Sequence, residues 1–348
     1  MASQDMDIFD IAVVGAGGAG TMAFLRGVLN RDRSVLITGD AETTRKGRAT
    51  WVAEVDNIPG MHDLKKPITS TSRSTLKWIQ AQPELEGFHA TRKGKATAIR
   101  RVELAGGEAG FELEITPPKG EVETIRARYV VNATGIMDKQ PHIDGSIKPI
   151  LPFANRYDAL YCIRCDGHKT IGKRLSVITN SGTGVHIAAI LTERYDHEHV
   201  DILWNGAEPE LDETARELIG AYGMTTHAAP ITGIRGDASR DGEGLEGYEL
   251  EGGAFVETNC TIVALGIIAY NQLARDLDAE LDGNGRIVVS PKYESSVEGF
   301  FAVGDLVPNR KMQVYTAWDE AVDAADEINR RLRMRRRAER IAAWKASR

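Results

Sequence analysis

The sequence predicts an α/β fold built from Rossmann-like nucleotide-binding units. A strand, a glycine turn, a helix and a second strand follow one another in residues 10–40, and another strand, turn and helix begin near residue 174. Two further apolar strands, in residues 128–138 and 299–308, end in small residues. Ligands bind at the carboxyl ends of strands in parallel sheets, so we expect the chain to bind at least one nucleotide.

The N-terminal unit has the spacing of a dinucleotide-binding turn. A buried strand, Ile11–Val14, leads into Gly15, Gly17 and Gly20 in the pattern G-x-G-x-x-G. The first glycine permits a tight turn, the second lets the backbone approach a pyrophosphate, and the third lets helix and strand pack closely. A second strand ends at Asp40, twenty residues after the last glycine, where an acid is expected to bind a ribose. The residues expected to contact the pyrophosphate are Gly15, Ala16, Gly17, Gly18 and Gly20.

Two distant segments favour FAD over NAD as the nucleotide. The strand in YVVNATGIMD ends in Ala133, Thr134 and Gly135, and the strand in GFFAVGDLVP ends in Gly304 and Asp305. An acid at such a turn can accept hydrogen bonds from a polyol chain, which FAD has and NAD lacks. We therefore predict that these five residues contact FAD.

The composition is that of a globular protein with no membrane segment. The 348 residues are 42% hydrophobic and 27% charged, and no apolar run approaches the roughly 18 residues that span a bilayer. The acidic N-terminus MASQDMDIFD lacks the basic start and apolar middle of a secretory signal, which favours a cytoplasmic location. Three cysteines are too few for a disulfide scaffold, so the close pair Cys162 and Cys165 is expected to be catalytic or metal-binding.

The net charge of −7 conceals a basic C-terminal segment. Residues 330–348 contain nine Lys or Arg and one acid, a charge of +8, whereas the rest of the chain has 34 basic and 49 acidic residues, or −15. Such a segment can bind nucleic acid, an acidic partner or the protein's own surface, or it can be a solvated helix end. We favour packing on the protein itself with partial electrostatic steering of a partner, and we expect no nucleic-acid or membrane partner.

Three further segments match the motifs of a known flavoprotein family. KGRATWVAEVDNIPG places Gly47 and Arg48 where that family has Gly-Gln, and it also matches at Asn57. KMQVYTAWDEA is similar to the start of the family's last flavin-binding helix, with Gln313 and Val314 in matching places. YCIRCDGH resembles the family's redox motif, C-x-x-C-D-G. In these ordered motifs the sequence resembles the low-molecular-weight thioredoxin reductases over almost its whole length, which implies that the five named residues contact FAD.

The resemblance also implies a domain organisation. It implies two Rossmann-like domains of the FAD/NAD(P)-binding type, in three-layer ββα arrangements, and usually a homodimer. The FAD-binding domain is expected to comprise residues 1–140 and 266–330. Residues 141–265 are then an inserted NADPH-like domain that carries the cysteine pair, and residues 331–348 are a basic helical extension.

By the same resemblance, the cysteine pair relays electron pairs. A C-x-x-C pair can close a small disulfide ring, and its dithiol form can reduce the disulfide of a partner by exchange. Cys165 is expected to face the flavin, Cys162 to attack the substrate, and Asp166 to serve as acid and base for the departing thiolate. The alternative is structural zinc, which generally takes four ligands, whereas His168 and Cys260 lack the spacing of additional ligands.

The second nucleotide turn departs from the family pattern. Thr179 and Ser181 stand at its first two glycine positions, and only Gly184 survives. A side chain at either position is expected to crowd the turn or displace a pyrophosphate. Where the family places arginines for a 2′-phosphate, this chain has Glu208 and Glu210, which repel one. We therefore expect that NADPH is not the electron donor.

Relatives that keep the C-x-x-C-D-G motif and lack the NADPH residues use ferredoxin or carry a second FAD. The sequence is thus expected to be an FAD-dependent disulfide oxidoreductase with a ferredoxin-like donor or a second flavin, and with a thioredoxin-like or small disulfide acceptor. The alternatives are a dithiol oxidase that uses oxygen, an NADPH-dependent thioredoxin reductase and a non-catalytic redox-sensing flavoprotein. The aromatic candidates to cover the flavin are Trp51, Tyr270, Tyr315 and Trp318, the last of which replaces a small residue of the family.

Overall fold

The structure is a computed structural model that describes residues 8–40, 46–206, 208–239, 241–309 and 311–348. The chain divides into two compact units. Unit 1 consists of the described parts of Met1–Glu54, Leu64–Met137 and Ile268–Arg348, and unit 2 consists of those of Val55–Asp63 and Asp138–Ile267. Residues 55–63, which the sequence motifs assign to the FAD-binding domain, therefore belong to the unit that carries the cysteine pair.

The elements of the described residues alternate as the sequence predicts. The strands are β1 (Ile8–Val14), β2 (Ser34–Ile37), β3 (His89–Arg92), β4 (Lys95–Glu103), β5 (Ala109–Thr116), β6 (Glu123–Asn132), β7 (Ile136–Asp138), β8 (Ala159–Leu160), β9 (Leu175–Thr179), β10 (Val200–Leu203), β11 (Thr225–His227), β12 (Ile231–Asp237), β13 (Gly244–Leu250), β14 (Phe255–Glu257), β15 (Cys260–Ala264), β16 (Ile267–Ala269) and β17 (Phe300–Ala302). The helices are α1 (Gly18–Leu29), α2 (Arg48–Trp51), α3 (Pro67–Gln80), α4 (Leu151–Ala154), α5 (Ile163–Asp166), α6 (Gly182–Tyr195), α7 (Glu213–Ala221), α8 (Gln272–Asp276) and α9 (Val314–Ala346). None of these helices is both long enough and apolar enough to cross a membrane.

Unit 1 is organised around a parallel sheet. Strands β3, β2, β1, β6 and β17 are parallel neighbours in that order, and β4, β5 and β6 form an antiparallel meander. One core lies between the sheet and helices α1 and α9, with Phe24, Val28 and Ile328 fully buried in it. A second core, with Phe111 and Leu113 of β5, covers the other face of the sheet. Because β1 is covered on both faces, it is an almost continuous apolar run.

Unit 2 repeats this arrangement with a smaller sheet. Strands β11, β10, β9, β15 and β8 are all parallel, and β12, β13 and β14 form a separate antiparallel sheet. Helices α6 and α7 cover one face through Val185, Leu191 and Ala215, and the antiparallel sheet covers the other through Tyr248 and Leu250. The predicted α/β class with Rossmann-like sheets is confirmed.

The basic C-terminal segment continues α9 without a break, so no helix boundary falls at residue 331. Arg331 lies 2.6 Å from Glu294, next to β17, and 2.8 Å from Glu327 on its own helix. Hydrogen bonds from Arg330 and then Arg331 hold the pKa of Glu327 at about 2, although burial opposes them. Two further arginines of the segment pair with acids of unit 1: Arg335 with Glu108, and Arg336 with Asp10. The start of the segment therefore binds the protein's own acidic residues.

We predict that Arg331→Met lowers the free energy of unfolding by about 2 kcal/mol, because Glu294 and Glu327 are largely buried and lose a charged partner. Urea unfolding at pH 7 measures this change. The control is Arg337→Met, which removes an exposed arginine from the same helix and is expected to change the stability by less than about 0.5 kcal/mol. Equal losses in the two variants contradict the prediction.

Candidate functional site

The N-terminal turn is packed so closely that two of its positions require glycine. Gly15 turns the chain after β1 with a φ of +106°. A Cβ on Gly15 would lie 2.4 Å from the carbonyl oxygen of Ala133, and a Cβ on Gly20 would lie 1.8 Å from the carbonyl oxygen of Gly15. Both distances are far below van der Waals contact, so β1, α1 and the end of β6 meet backbone to backbone.

The middle glycine borders a space of the kind that a dinucleotide fills. Gly17 is the N-cap of α1, no side chain of the described residues caps this helix, and a Cβ on Gly17 would meet none of their atoms within 4 Å. The N–H groups of the first turn and the dipole of a 12-residue helix favour an anion at this end. In the neighbouring strand, Asn132 accepts a hydrogen bond from Thr134, but its buried side-chain nitrogen has no partner among the described residues. The open cradle and the unsatisfied donor fit a bound FAD.

Most of the other predicted FAD contacts lie in unit 1 near this turn. The guanidinium group of Arg48 lies 3.4 Å from the carboxylate of Asp305. This ion pair connects the segment after residue 46 to the turn after β17. A Cβ on Gly18 would lie 3.4 Å from Val314 and 3.6 Å from the indole nitrogen of Trp318, so α1 and α9 begin side by side. Unit 1 contains the predicted contacts Gly15, Ala16, Gly17, Gly18, Gly20, Asp40, Gly47, Arg48, Ala133, Thr134, Gly135, Gly304, Asp305, Gln313, Val314 and Trp318. Their contacts with FAD stay predictions.

Asn57 differs from the other predicted FAD contacts, because it lies in unit 2. Its side-chain nitrogen donates to the carbonyl oxygen of Arg164, in the helix between the two cysteines, at 3.4 Å. The sequence motif alone could not assign Asn57 to a unit, since the chain crosses between the units on either side of it. Its role in FAD binding stays a prediction.

The aromatic candidates differ in how firmly they are held. Three hydrogen bonds fix Tyr270: its N–H donates to Gly135 at 3.1 Å, its carbonyl oxygen accepts from Thr134 at 2.7 Å, and its hydroxyl donates to the carbonyl oxygen of Lys46 at 3.0 Å. Trp51 and Tyr315 are exposed, and Trp318 is partly buried. Hydrogen bonds thus hold Tyr270 against two predicted FAD-binding segments, at Thr134–Gly135 and next to Gly47.

Glu320 is an acid of this region that the sequence reasoning missed. It is only 2% exposed, and its carboxylate accepts a hydrogen bond from the N–H of Gly304 at 2.7 Å. Burial raises the pKa of Glu320 to about 7, the Gly304 N–H opposes this shift, and the charge of Asp305 adds to it. The available signal was an acid at helical spacing from the buried Ala317 and Ala324.

The redox pair forms a disulfide at the start of α5. The Cα atoms of Cys162 and Cys165 are 5.3 Å apart, and the sulfur of Cys162 accepts a hydrogen bond from the N–H of Cys165. Asp166 ends α5. The predicted cysteine pair is confirmed, whereas the role of each sulfur and of Asp166 stays a prediction. Cys260 is fully buried in β15, and no three His, Cys, Asp or Glu side chains of the described residues are grouped to hold a metal.

Thr179 fills the second nucleotide turn. This residue ends β9 and is fully buried. Its hydroxyl donates to the carbonyl oxygen of Ala264 at 3.1 Å and accepts from the N–H of Ser181 at 3.3 Å. A Cβ on Gly184 would lie 2.3 Å from the methyl carbon of Thr179. The threonine side chain therefore packs directly against α6 and binds a backbone amide of the turn.

The end of β10 carries no basic side chain in its described residues. Asn205, with a φ of +51°, donates to His142 at 2.9 Å and accepts from the N–H of Ile231 at 2.8 Å, so both ends of its amide bind the backbone of unit 2. Glu208 and Glu210 follow and are exposed. The described charged side chains that directly follow β10 are therefore acidic.

Two Rossmann-like units, one of which carries a C-x-x-C disulfide, define the class of flavin-dependent disulfide oxidoreductases. Comparison with known protein families bears this out, because residues 9–321 match the family described as pyridine nucleotide-disulphide oxidoreductase. The chain belongs to this family.

Individual proteins are similar at low sequence identity. The chain is 24% identical over 332 residues to an alkyl hydroperoxide reductase component of Xanthomonas campestris pv. phaseoli, a match that covers 92% of this chain and 56% of that protein. The chain thus spans little more than half the length of this curated relative. The crystal structure of HlmI superposes with a TM-score of 0.77 at 22% identity and covers 97% of both chains. That of thioredoxin reductase from Streptococcus pyogenes has a TM-score of 0.74 at 18% identity and covers 94% of this chain and 99% of that one. The architecture expected of low-molecular-weight thioredoxin reductases is confirmed.

We predict that Gly17→Ala folds normally but binds FAD at least about tenfold more weakly, because the added methyl group enters the space next to the first turn of α1. Thermal unfolding of the FAD-free protein and fluorescence titration with FAD measure the two effects. Gly220→Ala, which adds a methyl group in open space on α7, is the control and is expected to leave FAD affinity unchanged. Wild-type FAD affinity in Gly17→Ala contradicts the prediction.

We predict that Glu320→Gln removes a pH dependence of stability. The pKa of about 7 in the folded protein lies above the ordinary value of 4.5, so ionisation is disfavoured in the folded state. The wild type should therefore lose up to about 3 kcal/mol relative to Glu320→Gln as the pH rises from 4.5 to above 7. Urea unfolding across this range measures the difference. Glu339→Gln, on the exposed end of the same helix, should show no such trend, and a flat difference for Glu320→Gln refutes the prediction.

Proposed function

We propose that this protein is an FAD-dependent disulfide oxidoreductase whose electrons come from a donor other than NADPH. FAD, when bound, supplies two-electron chemistry that can reduce a disulfide. The residues around Gly17 and Asp305 would hold it, together with Arg48, which lies 3.4 Å from Asp305. The disulfide of Cys162 and Cys165 is the relay to the substrate.

The side chain of Thr179 is the observation that carries the donor assignment. Its hydroxyl binds the N–H of Ser181, one of the turn amides that a pyrophosphate would need. Its methyl group packs where Gly184 approaches the strand. The carboxylates of Glu208 and Glu210 add repulsion for a 2′-phosphate. These features support a donor other than NADPH, and we propose a ferredoxin-like protein or a second FAD in that role.

For the dithiol chemistry we propose the roles that the resemblance implies for Cys162, the N-cap of α5, and for Cys165 and Asp166 within it. In the reduced protein, Cys162 attacks the substrate disulfide, and Asp166 accepts its proton and gives it to the departing thiolate. Cys165 then attacks the sulfur of Cys162 and releases the reduced substrate. We propose a thioredoxin-like protein or a small disulfide as the acceptor, and a homodimer as the assembly.

We predict that NADPH added anaerobically reduces the flavin more slowly than about 0.1 s⁻¹, two orders of magnitude below a typical turnover of about 10 s⁻¹. The reason is that Thr179 and Ser181 prevent productive binding of the nucleotide. Stopped-flow absorbance of the flavin measures the rate, and dithionite, which needs no binding site, should bleach the flavin completely.

The matched control is the variant Thr179→Gly/Ser181→Gly, which restores both glycine positions of the turn. An NADPH rate in this variant above that of the wild type assigns the block to the turn. Rapid stoichiometric bleaching of the wild type by NADPH refutes the proposed donor class, while leaving the disulfide chemistry in place.

A further inference from the structure

A single lysine connects two carboxylates beside the redox disulfide. The ammonium group of Lys169 lies 3.0 Å from Asp56 and 4.0 Å from Asp166. It also lies 3.8 Å from the centroid of the Tyr157 ring. All four residues belong to unit 2, and Asp56 reaches the site from the separate segment Val55–Asp63.

The position of Lys169 strengthens its interactions. Its side chain is only 16% exposed, so both its charge and its aliphatic part are removed from most of the solvent. Burial raises the pKa of Asp56, but hydrogen bonds and charge from Lys169, followed by those of His168, lower it below its usual value overall. His168 binds the same oxygen of Asp56 at 3.1 Å. The lysine is thus held from one side by Asp56, with Asp166 as its second acidic neighbour.

We propose that Lys169 is a positioning residue that keeps the Asp166 carboxylate ionised and ready to accept the proton of Cys162, with Asp56 tuning the strength of this effect. The inference rests on the proposed disulfide exchange. It adds to that function the two residues, Lys169 and Asp56, that set the pH range in which exchange proceeds.

The step on which Lys169 acts is a balanced exchange. The thiol of Cys162 loses its proton to Asp166 while its sulfur bonds to one sulfur of the substrate disulfide, and the other substrate sulfur leaves as a thiolate. Asp166 gives that proton to the departing thiolate and then accepts the proton of the Cys165 thiol, whose sulfur bonds to the sulfur of Cys162. This closes the protein disulfide and releases the second substrate thiolate, so two electrons pass from the dithiol to the substrate.

Other charged and titratable groups near this step in the described part of unit 2 include Arg164, which lies between the two cysteines, and Asp158, which acts on Cys260. His168 shares Asp56 with the lysine and is about half exposed. Lys173 and Asp166 both act on the buried thiol of Cys260, whose pKa burial raises to about 11. Cys260 is fully buried and stays protonated across the range of the experiment. The described ion pairs therefore connect Asp166 to Lys169 and, through Lys169, to Asp56.

The test is the pH dependence of a single exchange in the FAD-loaded, pre-reduced protein. Anaerobic mixing with 5,5′-dithiobis(2-nitrobenzoate) reports the attack of Cys162, because the aromatic thiolate leaves without a proton. In Lys169→Met the acid limb of the rate profile should move to higher pH by about one unit, since loss of the ammonium raises the proton affinity of Asp166. Lys169→Arg, which keeps the charge, should restore the limb to within a few tenths of a unit.

Asp56→Asn should move the acid limb in the opposite direction. This variant removes a negative charge near Asp166 and leaves Asp166 as the main acidic neighbour of Lys169, so the limb should shift to lower pH. An unshifted limb in Lys169→Met, or a uniform slowing at every pH in both variants, overturns the proposal. The opposite sign in Asp56→Asn keeps the test decisive if Lys169→Met is poorly folded.

The same experiment separates this inference from the proposed function. Cys162→Ser should abolish the exchange, and a reduced wild type that shows no exchange dependent on Cys162 refutes the disulfide chemistry and the role of Lys169 together. Exchange that depends on Cys162 with an unshifted limb in Lys169→Met refutes the role of Lys169 alone. The assay uses no NADPH, so the identity of the electron donor does not affect its outcome.

Discussion

Backbone contact at Gly15 and Gly20 is the constraint on which unit 1 depends. A side chain at either place would collide with a carbonyl oxygen, so β1, α1 and β6 reach their observed separation only because no Cβ is present. Backbone groups therefore line the turn, and the N-terminus of α1 stays accessible beside Gly17. The predicted FAD-binding segments that begin at residues 47, 133 and 304 lie near this turn. The position of the predicted FAD site therefore follows from the packing of α1 against β1 and β6.

Unit 2 solves the same packing problem in another way. Gly184 is also tightly packed, but its neighbour is the side chain of Thr179 instead of a backbone carbonyl. The threonine fills the gap between strand and helix, and its hydroxyl binds the turn amide. The same fold thus accommodates an open glycine turn in unit 1 and, in unit 2, a turn whose amide is bound by the threonine side chain. Membership of the family therefore does not specify the electron donor.

Local placement of charge matters more here than the total. The C-terminal segment has a charge of +8 in the sequence, yet Arg331, Arg335 and Arg336 pair with acids of unit 1. These ion pairs therefore use part of the positive charge to hold α9 against the rest of unit 1. In contrast, the single charge of Lys169 lies next to two carboxylates in a mostly buried position, where its effect is larger than at the surface.

The sequence by itself determined the Rossmann-like units, the glycine turn and the pairing of Cys162 with Cys165, because apolar runs and short spacings are local properties of the chain. It also indicated that Thr179 alters the second turn. Only the tertiary structure decided that Asp56 meets Lys169, that Asn57 belongs to unit 2, and that Glu320 is buried under Gly304. These contacts join residues far apart in the chain, and the desolvation that shifts a carboxylate's pKa arises only when packing removes water from around it.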